Sequence, residues 1–167
     1  MKTTDKYLIG IVAGIVVLVV VALVVTLMQP ESTYQAEDTP GGVAYNYLLA
    51  LKKADYERAY GYLSPQLLGY PKTLERFIDQ IQSSSYNYQF RYPPLDNSTL
   101  SVKSEVITIN YADVTILASI FSGGSLFESG TNNITFDMKL RQVNSKWKIT
   151  NSDRYFLDCW TQSKGCR

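Results

Sequence analysis

The chain has 167 residues, 46% of them apolar, and no histidine. An apolar N-terminal segment takes 28 of them, and removing its Lys2, Lys6 and Asp5 from 16 basic and 15 acidic residues leaves fourteen of each. That even balance argues against a nucleic-acid partner, which needs a basic face to displace counterions from phosphate. The lack of His excludes Ser-His and Cys-His nucleophiles, HExxH zinc sites and His-ligated haem.

From Tyr7 to Met28 no residue is charged, and eight of the twenty-two are Val. As a helix this segment is roughly 33 Å long at about 1.5 Å per residue, enough for the bilayer hydrocarbon. Lys2 and Lys6 precede it and Glu31, Glu37 and Asp38 follow, so the positive-inside rule places the N-terminus in the cytoplasm and residues 29–167 outside. A cleaved signal peptide fits less well, because its apolar region runs to about 7–15 residues and ends in small residues. Here Thr26-Leu27-Met28-Gln29-Pro30 offers no such site. The expectation is an integral, single-pass anchor. Within it Gly10 and Gly14 form a GxxxG, a spacing that lets a second helix approach on one face.

Residues 29–39 are polar and carry no apolar periodicity, so they read as a linker. Thr39-Pro40 then looks like an N-cap with proline in the first turn, and Ala44, Tyr47, Leu48 and Leu51 recur at helical spacing. Asp55 caps a second helix striped by Tyr56, Ala59, Tyr60 and Leu63, which Ser64-Pro65 stops. Pro71 opens a third, with Leu74, Phe77, Ile78 and Ile81 on one face.

Beyond Ser85 the period changes to two. Tyr86, Tyr88, Phe90 and Tyr92 alternate with polar residues, predicting a half-buried strand that Pro93-Pro94 ends. Residues 101–110 and 113–121 are β-branched runs that predict a hairpin around Tyr111-Ala112. Ile134, Phe136, Met138 and Leu140 form the cleanest alternation, and Asn144-Ser145 turns the chain back into Trp147 and Ile149. Three helices followed by about five mostly antiparallel strands define an α+β fold, with the helices packed on a curved sheet.

Cys159 and Cys166, with six residues between them, are the only cysteines. Two thiolates without His cannot complete a zinc site, and the spacing is not CxxC, so a structural disulfide closing residues 153–167 is expected. An oxidised pair agrees with a domain outside the cytoplasm. Asn97-Ser98-Thr99 and Asn133-Ile134-Thr135 match the glycosylation triplet, which also arises by chance, and nothing is built on them.

The run from Ala44 through Leu48 and Leu51 into Asp55-Tyr56, Ala59-Tyr60 and Leu63-Ser64, with Trp147-Lys148-Ile149 in the closing strand, resembles NTF2-like domains of bacterial cell-surface proteins. The resemblance covers residues 40 to about 152 and implies a cone-shaped α+β barrel around a pocket. The family includes ketosteroid isomerase, scytalone dehydratase and many binding or scaffold modules, so fold alone does not name an activity. An isomerase would need a carboxylate base inside the cone. Asp137, Asp113 and Glu105 all alternate toward solvent, so no catalytic residue, metal or cofactor is expected.

Twelve of the thirteen tyrosines lie beyond the apolar segment. Periodicity places Tyr47, Tyr56 and Tyr60 in the core. Tyr45 and Tyr62 fall off the stripes and, with Tyr34 and Tyr70, are expected to be exposed; Tyr45, Tyr62, Tyr86, Tyr88 and Tyr92 are the candidates for pocket or interface aromatics. The functional expectation is a membrane-anchored, extracytoplasmic binding or assembly module, an accessory subunit among other membrane proteins. The alternatives are a small-ligand-binding envelope protein and, further off, a pocket isomerase or dehydratase.

Overall fold

The computed structural model describes residues 3–27, 32–83, 94–123 and 129–166. They fall into two units, Met1–Thr33 and Tyr34–Arg167. The first is a single helix, α1 (Thr3–Leu27), 25 residues long. Its side chains over residues 9–25 are all exposed. Among the described residues no helix is long and apolar enough to cross a membrane, and the expected span over Tyr7–Met28 rests on the sequence. Gly10 and Gly14 both border open space.

The second unit begins with helix α2 (Pro40–Lys52), capped as expected: the Thr39 hydroxyl accepts from the Gly42 N–H at 3.0 Å, with proline in the first turn. Sequence periodicity gives α2 one apolar stripe, yet every residue from Pro40 to Ala50 is buried. The cause is the chain before it. The expected linker is, from Tyr34 on, laid along the outer face of α2, and the Asn46 amide bonds Gln35 in both directions, accepting from its N–H at 2.7 Å and donating to its carbonyl at 2.8 Å. Gly42 permits this approach, since a Cβ there would lie 2.0 Å from the Ala36 carbonyl oxygen.

Asp55 caps α3 (Tyr56–Tyr62), its carboxylate accepting from the Arg58 N–H at 3.3 Å. The third domain helix, α4 (Leu74–Ser83), starts three residues after Pro71, because the Thr73 hydroxyl accepts from the Arg76 N–H and provides the cap.

Four strands follow: β1 (Ser98–Thr108), β2 (Tyr111–Gly123), β3 (Ser129–Val143) and β4 (Lys146–Ser152). They pair in chain order as an antiparallel meander. The β1–β2 turn sits at Ile109-Asn110, two residues before the expected centre. The β3–β4 turn is where the sequence puts it, and Asn144 and Ser145 both take positive φ, 52° and 62°, as a two-residue hairpin loop requires. Alternation holds on the helix-facing side: Ala112, Val114, Ile116 and Ala118 of β2, Phe136, Met138 and Leu140 of β3, and Trp147 and Ile149 of β4 are buried. The fold is therefore α+β with helices against an antiparallel sheet. The strand expected over Tyr86–Tyr92 lies outside the described residues.

Within the expected disulfide-closed tail, residues 155–160 also contribute to the core. Tyr155, Phe156, Leu157 and Trp160 are buried, and the Tyr47 hydroxyl donates to the Tyr155 carbonyl at 2.6 Å. Trp160 lies in a short 3-10 helix (Asp158–Thr161) and continues a run of ring contacts. Tyr70 stacks on Tyr60 at 5.3 Å, Tyr60 meets Phe77 at 5.4 Å, Phe77 stacks on Trp160 at 5.6 Å, and Phe156 meets Trp160 edge-on at 5.0 Å. The Trp160 indole donates to the Gln80 side-chain oxygen at 2.7 Å. The Cys159–Cys166 disulfide is present, with Cα atoms 5.0 Å apart. Its loop comes so close to Gly69 that a Cβ there would lie 2.2 Å from the Cys159 carbonyl oxygen.

Candidate functional site

Two surfaces of the domain stand out. The first is the tip of the β1–β2 hairpin, where Val106, Ile107, Ile109 and Tyr111 are 53–87% exposed. The hairpin projects past the helices, so neither face of its end has a helix to pack on. Ile109 holds φ at +46° in the turn, an unusual conformation for a β-branched residue. Arg141 of β3 lies over the Tyr111 ring at 5.2 Å.

The second is a cleft of about 490 Å³ between α3, the start of β4 and the segment before α2. Glu37, Asp55 and Glu57 face Arg58, Lys146 and Lys148 across it, with Tyr62 and Trp147 in its wall. Four of these charges, Glu37, Asp55, Arg58 and Lys148, are engaged by tyrosines and by the backbone. Tyr62 donates to Glu37 at 2.7 Å, and burial, then this carboxylate, raise the Tyr62 phenol above its ordinary value. Lys148 donates to the Gly61 carbonyl; burial, then the neighbouring Lys146 charge, lower its pKa, while Glu37 opposes them. At the rim Arg58 stacks on the Tyr34 ring at 3.9 Å, and the Tyr34 hydroxyl donates to Asp55 at 3.0 Å.

The candidate aromatics are distributed differently from the sequence expectation. Tyr45 and Tyr62 are buried: the segment before α2 covers the side of that helix that periodicity assigns to solvent, and Tyr62, on α3, is held by Glu37 of the same segment. Of the pair, Tyr62 alone lines the cleft. Tyr34 and Tyr70 are half-buried rather than exposed. Tyr86, Tyr88 and Tyr92 lie outside the described residues. Tyr47 is fully buried, while Tyr56 and Tyr60 pack against the core.

The carboxylates weighed as bases are outside the core. Asp113, Asp137 and Glu105 are exposed. Asp137 accepts from the Thr115 hydroxyl at 2.7 Å, and Glu105 accepts from the Gly41 N–H at 2.9 Å, adding a negative charge at the α2 N-terminus. Sequence reasoning missed this Glu105 contact, the Glu37–Tyr62 pair and Lys148. Only the strand phase of Lys148, between buried Trp147 and Ile149, marked it as placed at an edge. No metal-binding cluster of three or more His, Cys, Asp or Glu occurs among the described residues.

No protein-family model matches the chain, and no curated protein matches it. Solved structures do align. A SEC-C motif-containing protein from Rhodopseudomonas palustris matches with a TM-score of 0.46 and 12% identity over 72% of this chain and 81% of that one. A candidate ketosteroid isomerase from Shewanella frigidimarina gives 0.42 and 18%, over 70% and 95%. AclR, a candidate hydroxylase from Streptomyces galilaeus, gives 0.38 and 13%, over 70% and 77%. At such scores and identities they say nothing of what this chain binds.

Proposed function

We propose that the protein is a membrane-anchored, extracytoplasmic binding and assembly module with an NTF2-like domain, an accessory subunit that meets its partner through the β1–β2 hairpin tip. The observation that carries this is the apolar end of that hairpin, exposed on both faces of the strands. Four large apolar side chains exposed within six residues are more than scattered surface apolar residues, and patches of this kind mark interaction sites. The uncharged stretch from Tyr7 to Met28, helical through Leu27, and the basic residues ahead of it support an anchor with the domain outside. The Cys159–Cys166 disulfide supports the same compartment.

Full-length protein is solubilised from native membranes in mild detergent and its companions are identified by mass spectrometry. A stoichiometric partner that is retained by wild type and lost in Ile109→Glu, with the variant still folded, supports the reading. A partner that survives Ile109→Glu and Val106→Glu together places the interface elsewhere. Protein released by alkaline carbonate washing has no integral anchor. The cleft beside α3 favours a second reading, a small polar ligand held between its acidic and basic walls. A ligand-induced rise in melting temperature that Lys148→Met removes would carry it.

A further inference from the structure

A groove on another part of the domain differs in kind from the α3–β4 cleft. It lies between the Leu68–Lys72 approach to α4 and the disulfide loop and encloses about 370 Å³. Lys72, Arg76 and Lys164 line it, and no acidic residue does among the described residues. One Arg76 nitrogen donates to the Cys166 carbonyl at 3.0 Å, a neutral acceptor, so the disulfide loop holds the guanidinium at the wall without cancelling its charge.

The groove also reaches one polar group that the fold has oriented and left with spare capacity. Gln80 is only 9% exposed and lines the groove. Its side-chain oxygen accepts from the Trp160 indole at 2.7 Å. Indole N–H only donates, so this bond fixes which end of the amide is oxygen. The opposite end is then an NH2 with two donors, and no described residue accepts from it. Three cations with no acidic residue among the described lining, and a fixed pair of N–H donors at the same wall, are the complement of a multiply charged oxyanion.

We propose that this groove binds phosphate, free or as the ester of a larger molecule, with Gln80 and Arg76 donating to its oxygens and Lys72 and Lys164 supplying charge. Each phosphate oxygen offers lone pairs to several donors at once, which suits four nitrogen-bearing side chains better than a carboxylate does. The groove exceeds the size of the ion, which leaves room beside Tyr70 for an ester group.

The test uses the full chain in a phosphate-free, non-ionic detergent at physiological salt. Inorganic phosphate is titrated by calorimetry, and micelles doped with phosphatidic acid are titrated separately. Wild type is expected to bind at least one of these saturably, with at least tenfold weaker binding in Lys72→Ala/Lys164→Ala. Gln80→Glu is the sharper variant. Its carboxylate still accepts from Trp160, but an oxygen replaces the donor NH2 and faces the anion. It is expected to abolish binding while the near-ultraviolet circular dichroism of Trp160 is retained. Saturation by inorganic phosphate alone assigns a soluble ligand, and saturation only by the doped micelles assigns a lipid headgroup. The proposal is overturned if neither probe saturates at millimolar concentration, or if folded Gln80→Glu binds as wild type does.

Discussion

The α3–β4 cleft and the disulfide groove are both lined with charge, but the charge is arranged in opposite ways. In the cleft, three acids face three bases, and its tyrosine, lysine and arginine are engaged with neighbours of the same fold. In the groove, three bases face no acid among the described residues, and the Gln80 amide at its wall keeps an NH2 that no described residue uses. Cavity size does not separate the two; what separates them is whether the fold itself completes the hydrogen bonds and charge pairs. The cleft is the larger and reads as a self-neutralised seam that holds the segment before α2 in place. The smaller groove has donors left over.

The two regions also rest on different supports, and disturbing each support separately tests the contrast. The groove stands on the aromatic run that ends at Trp160. Trp160→Ala removes a fully buried ring, its stacking on Phe77 and the donor to Gln80. The expected loss is about 3–5 kcal/mol of unfolding free energy, read by urea denaturation. A loss below about 1 kcal/mol would mean the C-terminal segment is appended to the core and not part of it.

Reduction of Cys159–Cys166 is next in size. In the loop-entropy treatment an eight-residue ring is worth about 2.5 kcal/mol. The effect should be local as well as global. Hydrogen exchange over residues 158–166 is expected to rise with reductant, while exchange in α3 beside the cleft keeps its protection. Equal loosening of both regions would show that they form one cooperative unit, and the contrast drawn above would not extend to stability.

The cleft side is probed by alkali. The folded-state pKa of Tyr62 is raised above 10.0 by burial and by Glu37, so between 10.0 and that higher value the unfolded chain gives up a proton that the folded one keeps. Its contribution is complete below pH 10 and is lost as pH rises through the folded value. The loss is about 1.4 kcal/mol per pH unit. Tyr47 and Tyr155, also buried and raised, act in the same direction. Lys148 acts in the opposite one, since its lowered pKa lets stability rise with pH below its ordinary 10.5. The unfolding free energy, read by urea denaturation between pH 10 and 11, should therefore fall less steeply in Tyr62→Phe than in wild type. Parallel slopes would mean that Tyr62 is not shielded in solution.

Much of this architecture was legible in the sequence. The helix starts at Pro40 and Tyr56, the phase of Phe136 to Leu140, the turn at Asn144-Ser145 and the disulfide all follow from local rules of capping, alternation and spacing. Contacts between distant segments were not legible. Periodicity shows how many faces of α2 are apolar but not that Gln35 would bond Asn46 and cover another, so Tyr45 and Tyr62 looked exposed. Gln80 illustrates the same limit. Lying between Phe77 and Ile81, it sits on the buried side of α4, but its role depends on Trp160, eighty residues away. Charge compensation, which distinguishes groove from cleft, is likewise a property of tertiary neighbours.

The smallest test asks how firmly the segment before α2 is held against the cleft. Asp55 does two things there: one carboxylate oxygen caps α3 by accepting from the Arg58 N–H, and the other accepts from the Tyr34 hydroxyl. Asp55→Asn keeps a capping oxygen and tolerates the Tyr34 contact, whereas Asp55→Ala removes both. Loss of the cap costs about 1 kcal/mol. The part-buried Tyr34 contact should add little, because Arg58 remains over the ring and solvent replaces the hydrogen bond. The expectation is a loss near 1 kcal/mol for Asp55→Ala and a few tenths for Asp55→Asn, with Tyr34→Phe close to wild type. A loss in Tyr34→Phe as large as that in Asp55→Ala would show that the segment, and not the helix cap, is what Asp55 stabilises. The cleft would then depend on chain that lies outside α2 and α3.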